Sequence, residues 1–393
     1  MRVGVIGLGK AGLPLAGVIA EHGFDVIGVD IDDRRCEEIN SGKNPIPEEP
    51  DLGDLIRIYG GRELLATTKY EDARECNLFI IIVPLLIDKD KNPDFRILED
   101  AMKSVGRILK PQDLVVLETT VPPMTTERLA RTWLEEASGL SLESGEFYLA
   151  HSPERIMTGF SLSRLKEFPK VIGGVDRESG IKAFDIYKEF VPNLHLVSSA
   201  RVAEFIKVIE GCYRDVNIAL ANELFKIADE IDIDFYEARE YANHQYCDIH
   251  LPSTGVGGHC IPLYPWFLIK EMEKREKYDY SRLLRTSRVL NDQMINYWVE
   301  KIILECMKIE KPLADLKICI SGITFRSGVK EVYHSRNLAL AEALMERGLN
   351  VHVFDDEFTE EEIHSMGLKF GRREDADLVF DSSRLEIIMN VKG

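Results

Sequence analysis

The sequence predicts an α/β fold in which a Rossmann-like parallel sheet comes first, a long helix follows, and a smaller Rossmann-like α/β unit ends the chain. Over the first half, short β-branched runs alternate with helical patterns, which is typical of parallel strands joined by crossover helices. A helical pattern without proline then extends from about Ala200 to Ile231. A further strand, helix and strand begin near Pro312. We expect three domains, over residues 1–195, 196–300 and 301–393.

The composition is that of a globular protein. The chain has 393 residues, of which 45% are hydrophobic and 30% charged, and this length favours more than one compact core. No run reaches the roughly eighteen apolar residues of a membrane-spanning helix, and the chain opens directly on a strand-like run, so we expect a cytoplasmic protein without a signal peptide. The net charge of −18 is spread along the chain, which argues against a nucleic-acid partner.

The first strand candidate, Arg2–Ile6, leads directly into a glycine pattern. Gly7, Gly9 and Gly12 follow it in the spacing GxGxxG, and a helical pattern covers Leu13–His22. In this arrangement the first glycine allows a tight turn, the second lets the backbone approach a pyrophosphate, and the third allows close helix–strand packing. Because the helix N-terminus favours anions, the pattern predicts a dinucleotide site.

The second strand candidate, Val26–Val29, ends at Asp30. A carboxylate at this point accepts hydrogen bonds from ribose hydroxyls and repels a 2′-phosphate, so the cofactor NAD is favoured over NADP. Arg34 and Arg35 lie nearby in the sequence and weaken this preference without reversing it. The remaining strand candidates of the region are Leu78–Val83, Leu114–Glu118 and Phe147–Ala150.

The long helical pattern has apolar residues at steps of mostly three and four, close to a heptad seam. Thirty helical residues span about 45 Å, more than a small domain needs. Two interpretations remain open. The helix is either a core element that crosses its domain, or its extra length packs against a second subunit.

One cysteine lies in an unusual loop. The chain has 7 cysteines and no CxxC pair, so neither a disulfide framework nor a zinc ribbon is predicted. Most of them are expected to be small buried hydrophobic residues. Cys260, however, ends a loop with glycines at 255, 257 and 258 and follows His259. Taken alone it fits a buried structural cysteine better than a nucleophile, but neighbouring positive charge would activate its thiol.

The third region contains one βαβ pattern. Strand candidates at Lys317–Gly322 and Asn350–Phe354 flank a helical pattern over Ser335–Arg347, which Gly348 ends. The last forty residues or so are weakly patterned. We therefore expect a smaller α/β domain here and do not predict a complete second Rossmann domain.

Six motifs stand out along the chain: GLGKAGLPLA at 7–16, ETTVPP at 118–123, HSPERIMTG at 151–159, KVIGGVD at 170–176, YRDVNIALANEL at 213–224 and GVGGHCIP at 255–262. Together, over about the first 355 residues, they resemble the motifs of the UDP-glucose/GDP-mannose dehydrogenase family. The SPER and GGHCIP forms are most similar to its branch acting on UDP-N-acetylmannosamine, a 2-acetamido sugar.

The resemblance implies an activity and roles for individual residues. The family oxidises a sugar C6 alcohol to a carboxylate, a four-electron reaction that uses two NAD+ in turn. Cys260 matches the nucleophile that captures the aldehyde, and Lys207 matches the lysine that stabilises charge on the C6 oxygen. Glu154 matches the glutamate linked to thioester hydrolysis, and Thr120 matches a threonine that holds water. A preorganised ammonium beside a developing oxyanion is a physically sound way to lower such a barrier.

The resemblance also implies the binding residues. For NAD these are Gly7, Gly9, Gly12, Asp30, Arg35, Pro84 and Thr120. For a UDP-sugar, bound partly by the C-terminal domain, they are Glu154, Arg155, Lys207, Arg214, Gly257, Gly258, His259, Phe325 and Arg326. We expect a homodimer through the long helix. We expect no metal, nucleic-acid or membrane partner.

Several positions depart from the family pattern. Gly211 stands where the family has an asparagine, one turn after the lysine, and Tyr264 stands where it has an aspartate assigned to water activation. A tyrosine, with a usual pKa near 10, is a poor base at neutral pH. Cys247 occupies the place of an arginine that reaches the neighbouring subunit's substrate, and Tyr333 that of an arginine in the third region. Further replacements are Leu85, Met124 and Arg326.

These departures leave a second interpretation open. The chain would be a diverged paralogue that keeps the fold and NAD but has weak or no dehydrogenase activity. A third possibility, a relative of the 6-phosphogluconate or 3-hydroxyacid dehydrogenases, shares a Rossmann half and a long helix with a lysine. Those enzymes use no cysteine, so the loop ending at Cys260 counts against them.

Overall fold

In a computed structural model of the protein, residues 1–49, 51–155, 159–258, 260–324 and 330–390 are described. Their contacts group the chain into two compact units, Met1–Ile209 and Glu210–Gly393. The division falls inside the long helix. The finer division into three domains stays a prediction. None of the helices in these ranges is long and apolar enough to cross a membrane.

The first unit is built on one large sheet flanked by helices, as the alternation of patterns predicts. Its strands are β1 (Arg2–Ile6), β2 (Asp25–Val29), β3 (Leu64–Thr67), β4 (Leu78–Ile81), the short β5 (Leu86–Ile87) and β6 (Pro93–Asp94), β7 (Leu114–Leu117), β8 (Tyr148–His151), β9 (Lys170–Gly174) and β10 (Leu194–Leu196). Its helices are α1 (Gly12–Glu21), α2 (Asp33–Asn40), α3 (Leu52–Tyr59), α4 (Arg96–Gly106), α5 (Arg131–Ser138), α6 (Ser161–Glu167) and α7 (Arg177–Tyr187), followed by the long helix α8 (Ala200–Glu230).

The strand order of this sheet is β10-β9-β8-β7-β4-β1-β2-β3, and β5 pairs with β6 separately. Neighbouring strands of the large sheet are parallel, including the edge pair β9 and β10. The one exception is the pair β8 and β9, which is antiparallel. The predicted parallel sheet is therefore confirmed with one antiparallel pair. Because β1 lies between β2 and β4, the strand order reverses at β1, and ligands of such sheets bind at the carboxyl edge beside this switch point.

A buried ion pair fixes that carboxyl edge further along the sheet. The Lys170 ammonium, at the start of β9, lies 2.8 Å from one carboxylate oxygen of Glu118, just after β7. The Tyr187 hydroxyl donates to the other oxygen at 2.9 Å. Burial and the Glu118 charge raise the pKa of Tyr187 well above its ordinary value, so the phenol remains a donor. Since the Glu118 carbonyl accepts the Glu154 N–H, this triad also steadies the segment after β8.

The second unit pairs a small sheet with helices. Its strands are β11 (Lys317–Ser321), β12 (Asn350–Phe354), β13 (Leu378–Asp381) and β14 (Glu386–Met389), in the order β12-β11-β13-β14. Its helices after α8 are α9 (Phe235–Ala242), α10 (Tyr264–Lys274), α11 (Arg282–Cys306), α12 (Arg336–Glu346) and α13 (Glu360–Ser365). Strands β12, β11 and β13 are parallel, and β14 is antiparallel.

The core of this unit lies between α11, α12 and the sheet. Met294, Trp298 and Ile302 of α11 pack in one cluster with Ile318 and Ile320 of β11. The predicted βαβ element is confirmed, and the weakly patterned end adds α13, β13 and β14 to it. Strand β11 lies between β12 and β13, so this small sheet has a switch point of its own.

Candidate active site

The glycine loop of the first unit has the geometry that a dinucleotide requires. Gly7, with φ +97°, donates its N–H to the Val29 carbonyl at 2.8 Å. A Cβ on Gly12 would overlap the Gly7 carbonyl, so this glycine permits the close approach of α1 to β1. A Cβ on Gly9, by contrast, would meet no atom within 4 Å. The loop is therefore tightly packed at Gly7 and Gly12 and open at Gly9, next to the N-terminus of α1. This open space is where a pyrophosphate would bind.

Asp30 is more strongly engaged by the protein than the sequence suggests. Its carboxylate is 8% exposed and accepts the Leu8 N–H at 2.7 Å and the Asp32 N–H at 3.0 Å. Arg35 Nη1 lies 3.0 Å from both carboxylate oxygens. Arg35 therefore pairs with Asp30 in this structure, and a ribose hydroxyl would share the carboxylate with this guanidinium or displace it.

The other candidate residues of the first unit follow the carboxyl ends of adjacent parallel strands. Pro84 comes after β4 and is exposed, and Thr120 comes after β7 and is half-buried. The Thr119 hydroxyl donates to the Val83 carbonyl at 2.7 Å, which joins these two segments. Glu154 and Arg155 follow β8 and are half-buried. The fold thus brings all four predicted residues to the same edge of the sheet as Gly7.

A buried glutamate, which the sequence reasoning missed, lies one turn before Lys207. Glu204 is 1% exposed and accepts the N–H of Met124 at 2.5 Å and the N–H of Thr126 at 2.7 Å. Burial raises its pKa to about 7. Met124 has φ +77°, the left-handed conformation that glycine adopts most easily. Glu204 therefore fastens the first turns of α8 to the loop after β7 and helps to hold Met124 in this conformation.

The cysteine loop of the second unit is held by buried amides. The Ser253 N–H donates to the side-chain carbonyl of Asn222 on α8 at 2.7 Å. The Asn222 amide donates to the Asn291 side chain on α11 at 3.0 Å, and Asn291 donates to the Asp215 carboxylate at 2.9 Å. Asn222, Asn291 and Asp215 are all 0% exposed. At the next loop residue, the Thr254 hydroxyl donates to Asn337 of α12 at 2.6 Å.

Cys260 differs from most of the other cysteines in its exposure. Its side chain is exposed, whereas Cys36, Cys76, Cys212, Cys306 and Cys319 are buried, as expected of small hydrophobic residues. Burial raises the pKa of Cys76, Cys212 and Cys319 to about 12, so these thiols remain protonated. The Cys260 carbonyl accepts the N–H groups of Leu263 and Tyr264. Cys260 thus lies in the turn before α10.

The two main departures from the family pattern contact each other. A Cβ on Gly211 of α8 would overlap the ring of Tyr264 and come within 3.1 Å of its Cβ. Tyr264 begins α10 and is 8% exposed, and its N–H bonds to the Cys260 carbonyl at 3.2 Å. The glycine therefore makes room for the aromatic ring, and the ring in turn supports the turn that carries Cys260.

A cavity of about 160 Å³ lies in the second unit, between the cysteine loop and the switch point of the small sheet. The loop contributes Ser253 and Gly257 to its wall, the start of α12 contributes Arg336, and Ser382 after β13 lies opposite. This is the carboxyl edge at which open α/β sheets bind ligands.

The remaining predicted residues are placed as follows. Gly257 and Gly258 lie in the cysteine loop and Arg214 is exposed on α8, whereas His259, Phe325 and Arg326 lie outside the described residues. Cys247 pairs with His244 through two backbone hydrogen bonds of 2.9 Å. Among the described residues no group of His, Cys, Asp or Glu side chains is arranged to hold a metal ion.

Comparison with known proteins decides the family. The NAD-binding domain model of the UDP-glucose/GDP-mannose dehydrogenase family matches residues 1–191, and its central domain model matches residues 201–293. The chain belongs to this family. The chain is accordingly an NAD-dependent dehydrogenase of this family.

Three relatives illustrate the match. UDP-N-acetyl-D-mannosamine dehydrogenase of Methanococcus vannielii is 36% identical over 375 residues, which is 93% of this chain and 82% of that protein. NDP-N-acetyl-D-galactosaminuronic acid dehydrogenase of Ralstonia solanacearum is 36% identical over 354 residues, 88% of this chain and 81% of that protein. The solved structure of the Pyrococcus horikoshii UDP-N-acetyl-D-mannosamine dehydrogenase is 32% identical with a TM-score of 0.86, over 97% of this chain and 89% of that one.

The contact between Gly211 and Tyr264 leads to a stability prediction. We expect Gly211→Ala to lower the free energy of unfolding by about 1–3 kcal/mol, because the added methyl overlaps a packed ring. In a Tyr264→Ala background the same substitution is expected to be neutral or to stabilise by up to about 1 kcal/mol, because alanine has the higher helix propensity. Urea denaturation of the four proteins measures both effects.

Gly53→Ala is the matched control, because a Cβ on this α3 glycine meets no atom within 4 Å. It is expected not to destabilise the protein. Equal destabilisation by Gly211→Ala with and without the Tyr264 ring would show that the two residues do not constrain each other.

Proposed function

We propose that the protein oxidises the C6 hydroxyl of a UDP-sugar to the carboxylate with two NAD+, and that Cys260 carries the intermediate. The observation that carries this proposal is the exposed thiol of Cys260, in a glycine loop that borders the cavity of the second unit. A buried cysteine in a closed loop could not capture an aldehyde. Cys260 is exposed, in a turn whose backbone is fixed by hydrogen bonds, so its thiol can reach an aldehyde.

The first unit supplies the NAD site in this proposal. Gly7, Gly9 and Gly12 shape the loop that receives the pyrophosphate, and Asp30 meets the adenosine ribose. Pro84 and Thr120 lie at the same sheet edge. When bound, NAD+ accepts a hydride from C6 of the sugar. The residues of this edge orient the cofactor and exclude water from it.

The chemical steps on the protein side follow from the residue types. The Cys260 thiolate adds to the C6 aldehyde formed by the first oxidation and gives a thiohemiacetal. Loss of a second hydride turns this adduct into a thioester, which water cleaves to release the carboxylate and the thiol. Lys207 stabilises the charge that develops on the C6 oxygen. Glu154 and Thr120 position the hydrolytic water.

The best candidate for the sugar is UDP-N-acetylmannosamine. The relatives from Methanococcus vannielii and Pyrococcus horikoshii carry this substrate in their names. The Ralstonia solanacearum relative is named for an N-acetylgalactosamine derivative, at the same identity. All three names share a 2-acetamido sugar, which makes this the substrate class and UDP-N-acetylmannosamine its first member to assay.

One observation favours a second candidate, a paralogue that binds NAD and has little or no turnover. Tyr264 fills the space beside Gly211 with an aromatic ring, so this place holds no carboxylate to activate water. With the first oxidation intact and hydrolysis impaired, the reaction would stop at the Cys260 thioester. A protein that stalls at the thioester forms at most two NADH per protein chain, whereas the active enzyme forms two NADH for every sugar of an excess of substrate.

The yield of NADH, measured per sugar and per protein chain, tests the proposed reaction. Incubation with NAD+ and UDP-N-acetylmannosamine is expected to produce two NADH per sugar, measured at 340 nm, with the uronate as the product by mass spectrometry. Cys260→Ser removes the nucleophile and is expected to lower kcat at least about a thousandfold. Cys247→Ser, a half-buried cysteine of the same unit, is the control and should retain the rate.

Each alternative gives a different result. Two NADH followed by no further turnover and a covalent adduct on Cys260 would identify a protein that cannot hydrolyse its thioester. NAD binding without any NADH from UDP-linked 2-acetamido sugars would contradict the proposed reaction and support the binding-only paralogue.

The protein is also proposed to form a homodimer through α8. Large apolar side chains recur along this helix at spacings of three, four and seven residues, each between 37% and 58% exposed: Val202, Phe205, Ile209, Tyr213, Leu220, Ile227 and Ile231. Such a stripe is the kind of surface that a second helix covers. Sedimentation velocity at micromolar concentration is expected to show a dimer of twice the 44.7 kDa chain mass, and a stable monomer would contradict this.

A further inference from the structure

Arg336 is a half-buried cation whose charge is only partly paired by the described residues. It is the first residue of α12, and its side chain is 21% exposed. Nη2 donates to the Asp292 backbone carbonyl at 2.8 Å, and Nη1 lies 3.9 Å from the Asp292 carboxylate. Nε is buried and has no hydrogen-bond partner among the described residues. An arginine offers five N–H donors, and the described residues accept few of those of Arg336.

The carboxylates around Arg336 are bound more closely to another arginine. Arg288 lies 2.6 Å from Asp292 and 2.6 Å from Asp215. The cluster therefore has two cations and two carboxylates, but both carboxylates pair directly with Arg288. Burial lowers the pKa of Arg336, which expresses how weakly its charge is compensated. A half-buried cation whose nearest carboxylate pairs more closely with another arginine is well placed to bind an anion.

The position of Arg336 shows where such an anion would lie. Its side chain lines the cavity at the switch point of the small sheet, together with Ser382 and Ser383. A Cβ on Gly255 would come within 2.8 Å of Arg336 Nε, so the glycine lets the cysteine loop pass close over the guanidinium. The cation thus faces the space between the loop that carries the nucleophile and the edge that binds ligands in α/β sheets.

We propose that Arg336 binds the diphosphate of the nucleotide sugar. The guanidinium has the planar donor geometry that pairs with phosphate oxygens through two hydrogen bonds. This assignment rests on the proposed function and adds to it a binding residue outside the motifs that define the family. Arg336 selects for the charged linkage of the ligand, whereas the base and the sugar are recognised elsewhere.

The test compares ligands that differ only in phosphate. Isothermal titration calorimetry measures UDP and NAD+ with the purified full-length protein, and ligand-observed NMR measures uridine. Arg336→Gln is expected to weaken UDP about tenfold or more, since charge-assisted hydrogen bonds are lost, and to leave uridine and NAD+ within twofold. Arg336→Lys keeps the charge without the planar geometry and is expected to lie between wild type and Arg336→Gln.

Arg282→Gln is the matched control. Arg282 begins α11, is 77% exposed and pairs with Asp279, so its replacement changes the net charge equally without touching the cavity. It should leave UDP affinity unchanged. Thermal unfolding of each variant confirms that the protein remains folded.

Two kinds of failure are distinguishable. UDP binding that is unchanged in Arg336→Gln, or that falls in parallel with uridine or only together with NAD+, would overturn the assignment of Arg336 alone. A wild-type protein that binds no UDP would overturn the proposed function and this assignment together.

Discussion

The site of the second unit depends on a line of buried hydrogen bonds from α8 through α11 to the cysteine loop. A loop with glycines at 255, 257 and 258 has few side chains with which to pack and loses much conformational entropy when it is ordered. Asn222 fixes its first part through the Ser253 N–H, and Asn291 and Asp215 fix Asn222. Because these groups are fully buried, breaking one bond would leave its partner unsatisfied. The helix pair α8 and α11 therefore sets the position of the loop.

The departures from the family pattern come with compensating contacts. Gly211 has no side chain and so leaves room for the Tyr264 ring. The two changes are therefore coupled through packing. Met124 takes a left-handed conformation while its N–H bonds to Glu204. Such contacts preserve the backbone around the thiol and around the loop after β7. These contacts do not replace the carboxylate that the family pattern has at Tyr264, so capture of the aldehyde can persist where hydrolysis of the thioester is impaired.

The parts of the fold that the sequence predicts are those set by local patterns. Strand β1, the glycine loop and α1 are contiguous, and β1 and β12 begin and end where expected. Strands β3, β9 and β10 were missed, and two of them, β3 and β10, are short strands at the edges of the sheet. The supporting polar groups were missed for a related reason. Lys170 and Glu118 are 52 residues apart, Glu204 and Thr126 are 78 apart, and Arg336 and Asp292 are 44 apart, and no spacing rule joins such pairs.

The central claim is that the cysteine loop and the switch point of the small sheet form one site for the nucleotide sugar. Alkylation of Cys260 by iodoacetamide, followed by peptide mass spectrometry without NAD+, tests it most directly. Saturating UDP-N-acetylmannosamine is predicted to slow labelling of Cys260 at least about tenfold. Labelling of Cys260 at the same rate with and without bound nucleotide sugar would contradict the account.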